Sequence, residues 1–306
     1  MRASVGIVGT GWVGSSVAIS TLHSGVASEL WLYDARSAVA DGDAMDLAHG
    51  ASFYPPARVG TASIAEMAQR CDAIVVTAGR GGKPDETRLQ LLRDNAAIIR
   101  SIGEQLRSFP GFVVMVTNPV DVLTYVMREA CGLPHERVIG TGTMLDTARL
   151  RQIVGEKLGV DSRSVHASVV GEHGDSEVVL WSSAFVAGTK LRDWPGWKRE
   201  EEGAIATTVR TAAYEIIRRK GATNHAIGLV TASLLQALLR DERRVLTVSR
   251  AWARVEQAGI EKIALSLPIV VGAKGATDVF VPEMDDAERK ALRKSAEVLR
   301  EAIASV

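Results

Sequence analysis

The sequence has only two cysteines among its 306 residues, Cys71 and Cys131, and they form no CxxC pair. This pattern excludes a disulfide framework and favours a reducing compartment. No apolar run approaches the roughly 18 residues of a bilayer-spanning helix, and no apolar segment of signal-peptide length precedes the first predicted strand, Val5–Val8. We therefore expect a cytoplasmic protein that does not bind a membrane.

Charge of either sign is not in excess, since 36 basic and 36 acidic residues give a formal net charge of zero. A balanced chain of this kind does not indicate nucleic acid or an anionic membrane surface as a partner. The hydrophobic fraction, in contrast, is 46 %, which is enough for one large or two medium domains with cores of their own.

Short β-rich runs alternate with helix-length segments through the first half of the chain, a rhythm typical of βαβ units around a parallel sheet. After about Gly140 this alternation ends. We predict an α/β fold, with a Rossmann-type doubly wound parallel sheet in residues 1–140 and an α+β substrate domain in residues 141–306. The first-half runs are Val5–Val8, Leu30–Tyr33, Ala73–Thr77, Phe112–Val116 and Val138–Ile139.

The second half is predicted to mix helices, strands and a surface connection. Apolar residues at helical spacing predict a helix over Thr143–Leu158, and a long helix is expected over roughly Gly203–Arg219. Asp285 is a suitable cap for a final helix. The predicted strands are Ser164–Val170, Val245–Ser249, Ile263–Val271 and Asp278–Val281, and the polar segment Leu191–Glu202 is expected to be a connection on the surface.

The segment Gly9-Thr10-Gly11-Trp12-Val13-Gly14 follows the first predicted strand directly and opens a helix. Its glycines allow a tight turn and a close approach of the backbone to a pyrophosphate, which the helix N-terminus binds through its amides and its dipole. Asp34 ends the second strand, where a carboxylate binds the ribose 2′-hydroxyl and repels a 2′-phosphate. NAD is therefore favoured over NADP, although the nearby Arg36 leaves the choice open. The predicted cofactor residues are Gly9, Gly11, Trp12, Val13, Gly14 and Asp34.

A histidine, His173, lies in a glycine-flanked loop after a predicted strand. Asp146 and Arg149 are three residues apart in a predicted helix, so they share one face. Asp146 can hold the ring of His173 in one tautomer and stabilise its protonated form, and Arg149 can bind a carboxylate through two hydrogen bonds. Arg88 follows a loop with glycines and a proline, Gly79–Thr87, which has the composition of a mobile lid.

The order and spacing of these motifs resemble the L-lactate/L-malate dehydrogenase family over essentially the whole chain, and most closely its bacterial L-lactate branch. Glu172, which precedes His173, is the form that resembles lactate enzymes, whereas malate enzymes more often have glycine there. The matching stretches are GTGWVG, DAMDLAHG, AG…KPDETR, TNPVDVLTY, GTGTMLDTARLR, GEHGDSE and KGATNHAIG.

The resemblance implies an NAD-dependent dehydrogenase that interconverts a small 2-oxo acid and an L-2-hydroxy acid, with pyruvate and L-lactate as the leading pair and no metal. It implies that His173, paired with Asp146, is the catalytic acid–base. Arg88 would be the lid arginine that polarises the 2-oxo group. Taken singly, these charged residues would be equally well explained as members of ordinary salt bridges.

Further contacts are implied by the same resemblance. Arg149 would bind the substrate carboxylate, Asn118 would lie near both nicotinamide and substrate, and Thr223 would line the pocket for the substrate side chain. The remaining residues implied to contact the cofactor are Thr77, Ala78, Gly79 and Asn118.

The lid departs from the family at Gly82, six residues before Arg88. At the position that this residue resembles, lactate enzymes have glutamine and malate enzymes have arginine. Asp85 also stands where a glycine is usual. We expect Gly82, as a substrate-binding position, to leave room for a side chain larger than methyl. Alternatively, Arg80 or Lys83 turns toward an acidic substrate, or pyruvate is still reduced under a looser lid. The alternative function is therefore a malate dehydrogenase or a dehydrogenase of bulkier 2-oxo acids.

Two other classes of protein share the nucleotide-binding start of the chain. An NAD-dependent glycosidase is disfavoured because that chemistry relies on a metal site, whereas the Asp146–His173 pair and two arginines are complete here. A non-catalytic NAD-binding protein is disfavoured because candidate residues stand at all four chemical positions.

Arg151 follows Arg149 by two residues in the same predicted helix, so the two side chains point roughly 200° apart. If Arg149 faces the substrate, Arg151 faces away, toward another subunit. In bacterial lactate dehydrogenases that bind fructose 1,6-bisphosphate, an arginine and a histidine resembling Arg151 and His166 hold phosphate across a subunit interface. We therefore expect a homotetramer, or a dimer, with fructose 1,6-bisphosphate as effector; the alternative is that both residues only line an interface or the surface.

Overall fold

The computed structural model describes residues 3–82, 86–258 and 260–306, without the side chain of Gln257. Its helices are α1 (Trp12–Ser24), α2 (Ser37–His49), α3 (Ile64–Arg70), α4 (Arg88–Gln105), α5 (Val120–Cys131), α6 (Met144–Leu158), α7 (Glu202–Lys220), α8 (His225–Leu239) and α9 (Asp286–Ala304). Its strands are β1 (Ser4–Val8), β2 (Glu29–Tyr33), β3 (Arg58–Thr61), β4 (Ala73–Val76), β5 (Phe112–Met115), β6 (Val138–Gly140), β7 (Val165–His166), β8 (Val169–Val170), β9 (Val178–Val179), β10 (Phe185–Val186), β11 (Thr189–Lys190), β12 (Arg244–Val255), β13 (Ile260–Gly272) and β14 (Gly275–Val279).

The first six strands form a parallel sheet in the order β3-β2-β1-β4-β5-β6. Every residue of β1 and of β4 is buried, as expected of a parallel sheet covered on both faces. The chain starts in the middle of the sheet, moves outward to β3 and returns to β4, so the strand order reverses between β1 and β4. Ligands bind outside the carboxyl ends of the strands at such a reversal. The predicted Rossmann-type sheet is confirmed.

The same sheet continues into the second half of the chain. β12 pairs antiparallel with β6, through Ser249 opposite Gly140 and Arg250 opposite Ile139, and β13 and β14 extend it to nine strands. The long β12–β13 hairpin therefore joins the two halves through main-chain hydrogen bonds, which the sequence analysis did not anticipate.

The predicted helices of the second half are confirmed. The final helix, α9, begins with a capping box in which the Asp285 side chain accepts from the Glu288 backbone and the Glu288 side chain accepts from the Asp285 backbone. The largely apolar helix α8 was not predicted. It packs closely on α1, because a Cβ at Gly228 would lie 2.5 Å from the carbonyl oxygen of Ser16. Helices both long and apolar enough to cross a membrane are absent from the described part of the chain.

Two expectations for the second half were wrong in detail. The strand predicted over Ser164–Val170 is interrupted, and its two ends, β7 and β8, belong to different small sheets. The segment predicted to be a surface connection is partly a core element, since Leu191 and Trp197 are buried in a second hydrophobic cluster with Leu150 and Val154 of α6. Because most residues of this segment are polar, its sequence did not indicate that it contributes to the core.

Candidate active site

Two of the predicted catalytic residues, His173 and Asp146, meet the predicted carboxylate-binding residue Arg149 at the start of α6. His173 Nδ1 lies 2.5 Å from Asp146 Oδ2, and the other oxygen of Asp146 accepts a hydrogen bond of 2.6 Å from Arg149. Asp146 is 2 % exposed, so its carboxylate is nearly removed from water while it contacts both partners. Since Nδ1 is engaged by Asp146, Nε2 is the ring nitrogen left to exchange a proton with a ligand.

The electrostatic surroundings favour the charged form of His173. Burial of the ring opposes that charge, yet the charge of Asp146 and its hydrogen bond outweigh burial and raise the pKa of His173 to about 8. The nearby cation Arg149 acts in the opposite direction. At neutral pH the ring therefore carries the proton that reduction of a carbonyl group requires.

The backbone of the histidine loop is held by a residue that sequence reasoning missed. The N–H of His173 donates to Asp121 Oδ2 at 2.7 Å. Asp121 lies in the first turn of α5, just after the cis peptide bond between Asn118 and Pro119. Burial raises the pKa of the Asp121 carboxyl to about 6, although the hydrogen bond from His173 opposes the rise. The sequence does carry a signal for Asp121, because this residue is the aspartate of the TNPVDVLTY stretch that matches the family. No role was assigned to it there.

A cavity of about 320 Å³ opens in front of the catalytic group. It brings together five predicted site residues, namely Asn118, Asp146, Arg149, His173 and Thr223, with Val13 of the glycine motif. Apolar side chains form much of the remaining wall, including Val116, Leu145, Ala213, Ile217 and Ile227. Three charged wall residues, Asp175, Glu177 and Arg210, were not predicted as site residues, although Asp175 and Glu177 lie within the recognised GEHGDSE stretch. The cavity is large enough for a small organic acid with an apolar side chain.

The lid residues lie apart from this cavity. Arg88 and Gly82 are exposed and are not among the described residues that line it. Arg80, one of the residues considered for an acidic substrate, is held by Asp94, with Nε to Oδ2 at 3.1 Å, and by Glu86, with Nη1 to Oε2 at 2.7 Å. Lys83 and Asp85 lie outside the described residues. In this structure the exposed Arg88 therefore does not line the cavity.

The glycine motif forms a tight connection between β1 and α1. Gly9 has a φ of +96°, which favours glycine, and a Cβ there would lie 2.7 Å from the backbone nitrogen of Ala78. A Cβ at Gly14 would collide with the carbonyl oxygen of Gly9, which also accepts a hydrogen bond of 2.7 Å from Thr77 Oγ1. The space around Gly11, in contrast, is open, since a Cβ there would meet nothing within 4 Å. This cradle fits a pyrophosphate at the N-terminus of α1.

Two neighbouring features complete the predicted nucleotide site. A groove of about 540 Å³ beside the start of α1 is lined by Thr10, Gly11, Trp12 and Arg36 among others, and Trp12 is 65 % exposed. On the other side of the motif, Gly79 packs closely, because a Cβ there would lie 2.6 Å from Thr117 Cγ2.

Asp34 is placed at the end of β2 as predicted. Its Oδ2 accepts from the Thr10 backbone and its Oδ1 from the Arg36 backbone, both at 3.0 Å. Burial acts to raise the pKa of Asp34, but these hydrogen bonds and the charge of Arg36 outweigh burial and lower it. The Arg36 guanidinium is 3.8 Å from Oδ1. A carboxylate is thus fixed where a ribose hydroxyl would donate to it.

A second and larger cavity, about 550 Å³, contains the residues proposed for regulation. Arg151 and His166 line it together with Arg163 and Arg244, and no aspartate or glutamate is among the described residues of its wall. Arg151 Nε donates to the Ala167 carbonyl at 3.0 Å, which fixes the side chain on the side of α6 away from the substrate cavity.

Comparison with known proteins agrees with this geometry. The family models for lactate/malate dehydrogenase match the NAD binding domain over residues 3–140 and the alpha/beta C-terminal domain over residues 143–306. The L-lactate dehydrogenase of Kosmotoga olearia is 43 % identical over 99 % of this chain and 96 % of its own. That of Salinibacter ruber is 45 % identical over 100 % of this chain and 98 % of its own.

A solved structure shows the same relationship in three dimensions. The minor L-lactate dehydrogenase from Enterococcus mundtii, in its ligand-bound form, superimposes with a TM-score of 0.96 at 37 % identity, covering 100 % of this chain and 98 % of the other.

Proposed function

The chain belongs to the lactate/malate dehydrogenase family, and from this membership we propose that it reduces pyruvate to L-lactate with NADH. The observation that carries the proposal is the contact of Asp146 with both His173 and Arg149 on the wall of one cavity. The direct test is a steady-state panel of 2-oxo acids with NADH. Pyruvate should be reduced, and failure to reduce any 2-oxo acid would contradict the proposal.

In the proposed mechanism each residue has one task. The glycine motif would hold NADH, which would supply the hydride for C2 of the oxo acid. Arg149 binds the substrate carboxylate through its two-pronged guanidinium, while His173 Nε2 gives its proton to the oxygen on C2. Asp146 stabilises the protonated ring before transfer and keeps it oriented afterwards. Arg88 would stabilise the negative charge growing on that oxygen once the lid closes and excludes water.

The division of the chain and its location are part of the same proposal. We propose that residues 1–140 hold the cofactor and that residues 141–306 supply the substrate-binding groups, since Asp146, Arg149 and His173 all follow β6. Both cysteines are free and buried, which supports the expectation of the cytoplasm as the working compartment.

Asp34 should make NADH the strongly preferred cofactor. Its carboxylate would accept a ribose hydroxyl and repel a 2′-phosphate, and a hydrogen bond to a charged group contributes about 1.5–3 kcal/mol, or roughly 10- to 150-fold. We expect kcat/KM for NADH to exceed that for NADPH by at least about tenfold, and Asp34→Ser to narrow the ratio. Equal efficiency with both cofactors in the unmodified protein would show that Arg36 overrides Asp34.

Gly82 should broaden the choice of substrate. We propose that the open lid position admits 2-oxo acids with apolar side chains beyond pyruvate, and the apolar wall of the cavity supports this. Each methylene that packs on that wall contributes about 1–3 kcal/mol of discrimination. Among the described residues, a Cβ at Gly82 would approach the side-chain Cδ2 of Leu91, at 3.3 Å, so substitution there requires only a small shift of that side chain.

Two variants of Gly82 test this expectation. Gly82→Gln should move the ratio of kcat/KM values toward pyruvate, whereas Gly82→Arg should move it toward oxaloacetate through a charge-assisted pair. If the unmodified protein already prefers oxaloacetate, the proposal that Gly82 leaves room for apolar substrate side chains is wrong.

We also propose that the protein is a homotetramer, or a dimer, in which fructose 1,6-bisphosphate favours the active form. The larger cavity supports this, because Arg151, His166, Arg163 and Arg244 converge there without an opposing carboxylate in the described wall. Arginine and protonated histidine both suit a dianionic phosphate. An effector acts only through a difference in affinity between two states.

The effector proposal is tested by kinetics and analytical ultracentrifugation with and without fructose 1,6-bisphosphate. The apparent KM for the oxo acid should fall roughly fivefold or more and assembly should tighten. Arg151→Gln should abolish both responses, whereas Arg218→Gln, on the exposed face of α7, should keep them. An unmodified protein that does not respond would remove the effector and leave the dehydrogenase proposal intact.

A further inference from the structure

A second carboxylate, Glu177, is buried in the wall of the substrate cavity and has no task in the mechanism above. It is 5 % exposed. Its backbone N–H donates to the Gly174 carbonyl at 3.2 Å, which ties it to the loop that carries His173. Its side-chain oxygen Oε1 is buried and has no hydrogen-bond partner in the described part of the chain. A carboxyl group kept in such surroundings is unfavourable for folding alone, which points to a role in the cavity.

Charged groups face Glu177 from each neighbouring element. Asp146 and Arg149 face it from α6, Arg210 from α7, and His173 from the shared loop. Burial is the largest influence on the pKa of Glu177, and together with the charge of Asp146 it raises that pKa to about 8. His173, Arg210 and Arg149 act in the opposite direction. The carboxyl is therefore mostly protonated at neutral pH and ionises in the same range in which His173 loses its proton. The protonation of Glu177 is therefore linked to that of His173, since each group stabilises the charged form of the other.

Arg210 completes this arrangement. It lines the same cavity, and its buried Nε has no hydrogen-bond partner among the described residues. With His173 protonated and an oxo acid bound, three positive charges would come from His173, Arg149 and Arg210. Negative charges would come from Asp146, from Asp175 on the same wall and from the substrate. Glu177 adds a further negative charge as the pH rises through its pKa of about 8, the range in which His173 would otherwise lose its proton.

We propose that Glu177 is a positioning residue that adds a negative charge to those of Asp146 and Asp121 near His173, holds the ring protonated to higher pH, and so sets the upper pH limit of 2-oxo acid reduction. The inference rests on the proposed function of His173 as proton donor. A substitution of Glu177 leaves the two other carboxylates near His173 in place. Asp121 accepts from the His173 backbone, and Asp146 contacts its Nδ1. Glu177 acts on the reaction only through His173.

The test compares Glu177→Gln, which keeps the shape and removes the charge, with Glu177→Asp, which keeps the charge. Glu215→Gln is the matched control, because Glu215 lies exposed on α7 and pairs with Arg218 and Arg219. For each protein, kcat/KM for pyruvate reduction is measured from acid to alkaline pH. Glu177→Gln should move the alkaline midpoint down by about half to one pH unit, a three- to tenfold loss of activity above it. Glu177→Asp and Glu215→Gln should leave the midpoint within a few tenths of a unit.

A second measurement does not depend on activity. The ring of His173 is titrated by NMR in the unliganded protein, with its signal assigned by its loss in His173→Gln. Glu177→Gln should lower the titration midpoint of His173 by about the same amount. A uniform loss of activity with both midpoints unmoved would overturn the proposal and leave Glu177 a structural residue. If the unmodified protein reduces no 2-oxo acid, the proposed function fails, while the NMR titration still decides the link between Glu177 and His173.

Discussion

Replacing His173 by glutamine is expected to lower the turnover number for pyruvate reduction by at least about a hundredfold, the lower end for loss of an acid–base catalyst. Glutamine has nearly the size of the imidazole ring and can still accept or donate a hydrogen bond, but it cannot transfer a proton. The buried Asp146, 2.5 Å from the ring nitrogen, would lose its charged partner and keep Arg149. Turnover is measured at saturating pyruvate and NADH.

The control is cofactor binding, followed by the fluorescence of NADH during titration of the variant. The glycine motif and Asp34 lie at the carboxyl ends of β1 and β2, whereas the hydrogen bonds described for His173 go to Asp121 and Asp146. Affinity for NADH should therefore remain within about twofold of the unmodified protein. Turnover close to the unmodified value in the variant would remove His173 from its assigned role.

Replacing Arg149 by lysine is expected to raise the KM for pyruvate by about two orders of magnitude. Lysine keeps the charge but loses the planar fork that donates two parallel hydrogen bonds to a carboxylate. A hydrogen bond to a charged group contributes about 1.5–3 kcal/mol, and a tenfold change corresponds to about 1.4 kcal/mol. The hydrogen bond of 2.6 Å from Arg149 to Asp146 would also be weakened, so turnover should fall as well.

Arg163→Lys makes the same chemical change at an exposed position, where the side chain pairs with Asp161. It should leave the KM for pyruvate in the absence of effector unaltered. A KM for Arg149→Lys within about threefold of the unmodified value would place the substrate carboxylate elsewhere in the cavity, and Arg210 would be the first residue to examine.

Much of the site was predictable because its chemistry lies in short, continuous stretches. Asp146 and Arg149 share a helical turn, so their common face followed from spacing alone. Gly9 and Gly14 predicted a tight turn that only residues without a Cβ can form. The structure shows that a Cβ at either position would collide with the backbone. The pairing of Asp146 with His173 across separate elements, in contrast, was expected from resemblance rather than from spacing.

The residues that sequence reasoning missed share a physical cause. The places of Asp121, Glu177 and Arg210 in the site depend on burial and on neighbours from other elements, and neither property has a local pattern. The segment Leu191–Glu202 was misjudged for the same reason, because Trp197 is buried in a cluster that includes Trp181, with ring centroids 5.8 Å apart. Polar neighbours in the sequence do not reveal such a contact.

By itself the sequence determined the parallel sheet and the glycine turn after β1, since these depend on periodicity and on residue types at fixed local spacing. The proposed acid–base role of His173 came from the resemblance of its motifs to a known family. Only the tertiary structure decided that β12 joins β6 in one sheet, that Asp121 holds the histidine loop, and that Glu177 lies beside the Asp146–His173 pair. Strand pairing between distant segments depends on which edge remains free after the first domain folds. The pKa of a buried group depends on every charge that packing brings near it. Neither the pairing of distant strands nor the pKa of a buried group can therefore be derived from local sequence patterns.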